Sequence, residues 1–241
     1  MIPYWKFQGF HPGLPLAAIG ILVCHFRLLR RVRRQGLDGE TAGMMSLVMV
    51  VTGLAAAYWF RGVYFADAVR ADWKTLLRLQ PGAASFGGIA GGLAGGWLYL
   101  LARGLRGRAG MKYLDALAYV FPQGWIFGRL GCTLVHDHPG IRTTSWLAVR
   151  YPDAPRFDLG LLELLFFLLV LIPGFAWLDR TKRPTGYWMG TFLTVYGAFR
   201  LLLDQLHVDP PRYGWFTVDQ WAYGTAFAAG VCLLTRSVFQ R

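Results

Sequence analysis

Residues 159–178 read Leu-Gly-Leu-Leu-Glu-Leu-Leu-Phe-Phe-Leu-Leu-Val-Leu-Ile-Pro-Gly-Phe-Ala-Trp-Leu, a stretch in which Glu163 is the sole charged side chain. About 20 consecutive apolar residues are what an α-helix needs to cross the hydrocarbon core of a bilayer. Working outward, similar runs recur on both sides. The chain reads as seven spans: Leu14–Leu29, Met44–Phe65, Ser85–Ala102, Tyr113–Cys132, Leu159–Leu178, Thr185–Gln205 and Thr217–Thr235. The expected fold class is therefore an all-α membrane protein with seven transmembrane helices, residues 1–241 forming a single polytopic membrane domain. Pro122 and Gly124 fall inside the fourth span and predict a kink there.

Composition agrees with this reading. Of 241 residues 55% are hydrophobic and 16% charged, with a mean hydropathy of +0.36. A soluble domain carries about 25% charged residues, so this chain has too little polar surface to face water all round. Three scattered cysteines, Cys24, Cys132 and Cys232, make neither a disulfide framework nor a cysteine-based zinc site. Met1–Gly13 holds one Lys and no small-residue cleavage site follows the first apolar run, so that run is expected to be retained as a span rather than removed as a signal peptide.

Loop charges set the orientation, because Lys and Arg collect on the cytoplasmic side. The ends of spans one, three, five and seven and the segments after them carry Arg27, Arg30, Arg31, Arg33, Arg34, Arg103, Arg106, Arg108, Lys112, Arg180, Lys182, Arg183, Arg236 and Arg241. The opposite loops hold fewer cations, diluted by Asp67, Asp72, Asp137, Asp153 and Asp209. The N-terminus is thus expected outside and the C-terminus in the cytoplasm. The net charge of +12 then serves topology and the anionic headgroups of membrane lipids. Nucleic acid is excluded as a partner, because no soluble basic domain is present.

Charges within a bilayer are costly and mark function by default. Here they gather at one depth: Arg61 in span two, Arg129 in span four, Glu163 opening span five, and Arg200 and Asp204 in span six, all at the outer level. Asp115, at the inner end of span four, is the exception. Arg200 and Asp204 are four apart and share a helix face, which allows them to pair. One reading is that these charges lock the bundle. The other is that the cluster keeps more than one unpaired Arg for an anion, a lipid phosphate above all.

Two further motifs have competing readings. Ser85-Phe86-Gly87-Gly88-Ile89-Ala90-Gly91-Gly92, continued by Gly95 and Gly96, suits close helix packing, and its first backbone N–H groups could also face an anionic headgroup. His136-Asp137-His138 offers two imidazoles around a carboxylate, a sparse ligand set from which no metal and no cofactor are expected. Cys132 and His136 lie one turn apart if the helix continues, a spacing open to a nucleophile pair.

With these residues in place, the chain resembles the bacterial prolipoprotein diacylglyceryl transferase family over roughly residues 85–230. Ser85-Phe86-Gly87-Gly88 is similar to the family's Ser-Phe-His-Gly-Gly; Gly128-Arg129-Leu130-Gly131-Cys132, then Asp137 and Gly140, to Gly-Arg-x-Gly-Asn followed by Glu and Gly. Glu163 resembles the Glu closing the His-Pro-x-Gln-Leu-Tyr-Glu element, and Tyr196-Gly197-Ala198-Phe199-Arg200 with Asp204 resembles Tyr-Gly-x-Phe-Arg and its following Glu. The departures are specific: Gly87 stands at the family His, Cys132 at Asn, Asp137 and Asp204 at Glu, and Pro12 near the family's N-terminal Tyr.

The resemblance implies a multi-pass protein of the bacterial inner (cytoplasmic) membrane. It implies transfer of a diacylglyceryl group from phosphatidylglycerol to the lipobox cysteine of a prolipoprotein signal peptide. Arg129 and Arg200 would stabilise the phosphate, with Asp204 and Glu163 orienting them, and His136 or Asp137 would take the thiol proton, His138 being a further imidazole at hand. Cys132, Gly140, Arg61, Ser85, Gly87 and Gly88 complete the expected substrate site. The alternatives are a non-catalytic relative that binds lipid or a partner, and a small transporter. Charges gathered at one leaflet count against the transporter, whose site lies at the midplane.

Overall fold

A computed structural model describes residues 1–4, 12–60, 72, 74, 85–208, 210 and 212–239. Among these, the helices are α1 (Gly13–Arg34), α2 (Gly39–Trp59), α3 (Ser85–Ala102), α4 (Arg108–Val135), α5 (Leu159–Leu178), α6 (Tyr187–Asp204) and α7 (Val218–Phe239). Each expected span overlaps one of them, residues 61–65 of the second lying outside the described residues. Three, α1, α2 and α5, are long and apolar enough to cross a membrane by length and composition; the apolar Phe86–Ala102 is shorter. Leu22, Phe26, Leu54, Leu98 and Leu169 are exposed on the flanks, as lipid-facing side chains would be.

Local chemistry explains where the helices differ from the expected boundaries. α1 runs on through its arginines, because Arg is a good helix former and Arg31, Arg33 and Arg34 sit favourably in the last turn. Gly36, at φ +69°, then turns the chain. Asp38 starts α2 earlier than the apolar run does, its carboxylate accepting from the N–H groups of Glu40 (3.1 Å) and Thr41 (2.8 Å). α4 continues from Arg108 to Val135 through Pro122. In α5 a π-helical turn occupies Phe167–Leu171, just ahead of Pro173, which has no N–H to donate back into the ladder.

Neighbouring helices pack antiparallel through glycines. Gly20 of α1 and Gly124 of α4 face each other so closely that a Cβ on either would meet the other's carbonyl oxygen. On α3, Gly87 faces Phe60 and Ala56, Gly91 faces Ala56, and Gly95 faces Thr52, one contact per turn against α2 and the residue that ends it. The close-packing reading of the Gly-rich segment is what the structure shows. Gly87 and Gly88, expected in the substrate site, lie in this helix–helix seam, Gly88 against Ala57.

The described chain is mostly helical, as expected, with short strands in addition. Between α4 and α5 lies a three-stranded antiparallel sheet of β1 (Pro139–Arg142), β2 (Val149–Arg150) and β3 (Pro155–Asp158), ordered β1-β3-β2. Ile2 joins it, bonding Ala148 and Arg150. A hairpin, β4 (Arg212–Tyr213) and β5 (Phe216–Thr217), turns at Gly214 ahead of α7. These strands are two to four residues long, too short for alternation of apolar and polar residues to announce them. They lie at the helix ends that carry Arg129, Glu163 and Arg200.

At the other end, Asp115 of α4 is buried and accepts hydrogen bonds from the N–H groups of Gly186 (2.5 Å) and Met189 (2.9 Å). It thereby satisfies the start of α6 and meets that helix's positive dipole end. Arg31 forms a two-pronged ion pair with Asp179 and lies 3.4 Å over the Tyr119 ring, tying α1 to α4 and to the end of α5. Asp115 is satisfied by these bonds, while Arg31 keeps its Nε buried without a hydrogen-bond partner.

Candidate active site

Glu163 organises the opposite end. Its carboxylate is 1% exposed, one turn into α5, whose start is capped by Asp158 accepting from the Leu161 N–H at 2.9 Å. Oε1 lies 2.9 Å from Arg129 Nε and accepts from the Trp125 indole (3.0 Å) and the Tyr196 hydroxyl (2.7 Å). Oε2 accepts from Arg200 Nη1 at 2.8 Å. The guanidinium groups of two separate helices therefore converge on one carboxylate.

The sequence achieves this with side chains one turn apart on each helix. Trp125 and Arg129 share a face of α4, Tyr196 and Arg200 a face of α6, and Asp219 and Tyr223 a face of α7. Arg129 Cζ lies 5.0 Å from the centre of the Trp125 ring, and Arg200 Cζ 4.6 Å from that of Tyr223. Asp219 holds the second prong of Arg200, at 2.5 Å. Burying charges is expensive unless each is paired and hydrogen-bonded, and this arrangement pairs them.

That corrects two expectations. Arg200 and Asp204 do not pair: Arg200 turns to Glu163 and Asp219, while Asp204 accepts from the Thr217 hydroxyl (2.9 Å) and has His207 Nδ1 at 3.6 Å. Nor does the cluster keep arginines without an acidic partner, since both bind Glu163. What remains open is hydrogen-bonding capacity. Among the described residues, Arg200 Nε, the Tyr223 hydroxyl and His207 Nδ1 are buried with no hydrogen-bond partner. Buried polar atoms are rarely left so, and these surround Arg200 and its ring neighbour. The pKa of His207 is lowered by burial and by the charge of Arg200.

Beside this group, a cavity of about 530 Å³ runs between α3, α6 and α7. Phe86, Leu93, Phe192, Tyr196, Trp221 and Tyr223 line it, so its wall is almost wholly apolar and shares Tyr196 and Tyr223 with the charge cluster.

On the Cys132 side, Arg129 Nη1 lies 3.9 Å from Cys132 Sγ. Cys132, Asp137 and His138 present ligand atoms all within 4.8 Å of one another, and His138 Nδ1 hydrogen-bonds Asp137. Burial opposes a charged His138, but the bonds to Asp137 and then Cys132 outweigh it and push its pKa up to about 9. His136 is placed otherwise. It ends α4 in a left-handed conformation (φ 51°), buried, with Nδ1 2.6 Å from Asp158 and its ring stacked on Tyr4. As Asp158 also caps α5 and accepts from Tyr151, His136 is the joint between α4 and α5. The imidazole beside Cys132 is His138, and this corrects the expectation that favoured His136.

Gly140 has a structural reason. A Cβ there would meet the Leu206 carbonyl (2.8 Å), Leu159 (2.9 Å) and the Phe157 carbonyl (3.1 Å), so only glycine lets β1 approach the end of α6. Arg61 lies outside the described residues. Ser85 opens α3, and its side chain is likewise outside them. The sequence reading missed Trp125, Asp219 and Tyr223, and quoted Tyr196 only as part of a motif, without a role. Trp125 and Tyr196 each sit four residues before an arginine on the same face, a signal that was available. Asp219 and Tyr223 depend on the long-range docking of α7, which spacing does not reveal.

The sequence profile of the family described as prolipoprotein diacylglyceryl transferase matches residues 14–236. The chain belongs to that family. Among similar proteins, the phosphatidylglycerol–prolipoprotein diacylglyceryl transferase of Nitratidesulfovibrio vulgaris (strain Miyazaki F) is 31% identical over 171 residues, covering 67% of this chain and 63% of the relative. That of Chromohalobacter salexigens is 26% identical over 222 residues, 85% of this chain and 79% of the relative. That of Thermotoga maritima is 23% identical over 212 residues, 83% and 71% respectively. The match to the first of these thus spans less than two thirds of that protein's length.

Proposed function

We propose that this chain transfers the diacylglyceryl group of phosphatidylglycerol to the lipobox cysteine thiol of a prolipoprotein signal peptide. The observation that carries this reading is the convergence of Arg129 and Arg200 on Glu163, with Arg200 Nε and the Tyr223 hydroxyl unsatisfied, in a chain of this family. A lipid phosphate has the oxygens those donors lack. The apolar cavity that shares Tyr223 takes the acyl chains.

In the reaction the acceptor sulfur forms a bond to the terminal glycerol carbon of the diacylglyceryl group. The bond from that carbon to the phosphate oxygen breaks, its electron pair leaves with glycerol phosphate, and the thiol proton is released beforehand. Arg129 and Arg200, preorganised on Glu163, stabilise charge developing on the leaving phosphate. Asp204 holds the Thr217 end of α7, and so the helix that carries Asp219 and Tyr223. Asp137 and His138 stand beside Cys132 where the acceptor thiol must lose its proton.

On this reading the site belongs to one leaflet. The Lys and Arg distribution supports seven spans with the N-terminus outside and the C-terminus in the cytoplasm of a bacterial inner membrane. The arginine cluster then lies at the extracytoplasmic level, where a translocated prolipoprotein arrives. Purified chain in phosphatidylglycerol vesicles with a lipobox peptide should release glycerol phosphate in step with thioether formation, and Arg129→Ala should abolish both. Binding of phosphatidylglycerol without release of glycerol phosphate under these conditions overturns the proposal.

A further inference from the structure

We propose that Cys132, Asp137 and His138 form a binding site for a zinc-class divalent cation, and that this cation holds the acceptor thiol as a thiolate; the second part rests on the transferase reading above. From the sequence, His136-Asp137-His138 is a sparse ligand set at which no metal is expected. The structure removes His136, which is committed to Asp158, and supplies a sulfur instead. The result is one thiol, one carboxylate and one imidazole whose ligand atoms lie within 4.8 Å of one another.

The donor set selects the cation. Magnesium and calcium take oxygen ligands, whereas sulfur with imidazole suits zinc. Around a tetrahedral zinc, with bonds of roughly 2.0–2.3 Å, ligand atoms stand roughly 3–4 Å apart. Asp137 and His138 are partly exposed, so side-chain rotation closes the remaining gap without moving packed structure. His138 turns from Asp137 to the cation, and Asp137 bonds the cation from its other side.

Three protein ligands leave one position open, the pattern of a catalytic rather than a structural zinc site. An exogenous thiol that enters it gives up its proton to solvent and binds as the thiolate, the form that attacks carbon. The cation and Arg129 are connected through Cys132, whose sulfur is 3.9 Å from Arg129 Nη1. The nucleophile and the phosphate-binding arginine are thus brought to adjacent positions. Loading releases the Cys132 thiol proton and one proton of His138 to solvent, after which the Cys132 thiolate and the Asp137 carboxylate formally balance the dication.

The test uses the full chain in detergent, stripped with a chelator and titrated with cobalt(II), whose tetrahedral thiolate complexes absorb visibly. One cobalt per chain should bind, displaced by zinc, with sulfur-to-cobalt charge-transfer bands. Cys132→Ala and His138→Ala should each weaken binding at least 100-fold, while Cys232→Ala leaves it intact. A lipobox peptide should shift the cobalt spectrum, and its Cys→Ser version should not. Absence of tight cobalt binding in monodisperse protein, or binding indifferent to Cys132 and His138, overturns the site. A spectrum that ignores the thiol overturns its role. If chelated protein still releases glycerol phosphate, the cation proposal falls and the transferase reading stands. If cobalt binds but no lipid is transferred, the reverse holds.

Discussion

Glu163 and Arg200, 37 residues apart in the chain, meet at 2.8 Å between α5 and α6, and the same carboxylate holds Arg129 of α4. One acidic side chain therefore fixes two cations that would otherwise repel. Glu163→Gln leaves both guanidinium groups buried without it. Breaking a buried pair in this way costs roughly 3–5 kcal/mol, so thermal unfolding in detergent should show a large drop. A variant as stable as the parent contradicts the arrangement.

Arg200→Lys tests geometry apart from charge. Lysine cannot bridge Glu163 and Asp219 with one planar group. Turnover should fall by about 100-fold, while the protein remains folded. Rates of glycerol phosphate release, with circular dichroism as control, decide this.

The seam between α2 and α3 was legible in part. The four-residue spacing of Gly87, Gly91 and Gly95 announced close packing, and the structure supplies Ala56 and Thr52 as the partners. Gly91→Val forces its side chain into Ala56 and should destabilise by roughly 1–3 kcal/mol. Protease resistance of the variant in membranes is the readout.

Asp115 looked from sequence like a misplaced charge and turns out to cap α6. Asp115→Ala should cost about 1–2 kcal/mol with little effect on the transfer step, because it lies at the far end of α4. A change in KM for lipid instead of stability would show that this reading is wrong.

His207 gives a pH dependence. Its folded pKa is below the ordinary 6.5, through burial first and the Arg200 charge next. The unfolded chain then binds more protons in that range, so stability is held above pH 6.5 and lost as pH falls through the folded value. Denaturation midpoints between pH 7.5 and 5 should decline in the parent and flatten in His207→Gln.

Hydrophobic runs and loop charges made the helices readable, because lipid imposes length and polarity on them. The site was half readable. Arg129, Glu163 and Arg200 stood out as costly charges, but which acid each arginine meets depends on the docking of whole helices. His136 and His138 show the limit most clearly. They are two residues apart, yet the left-handed end of α4 sends one to Asp158 and the other to Cys132. No periodicity encodes that turn.

The π-helical turn of α5 sets the rotational phase of everything below it. Glu163, Phe167, Leu171 and Phe175 are all buried and stand four residues apart. In an ordinary α-helix each such step drifts about 40°, and the three together roughly 120°. The widened turn absorbs part of that drift, which keeps Glu163 and Phe175 both on the buried side of α5. The ring contact between Phe175 and Trp188 at the inner end thus depends on a turn whose extra width lies more than a full turn away from Glu163.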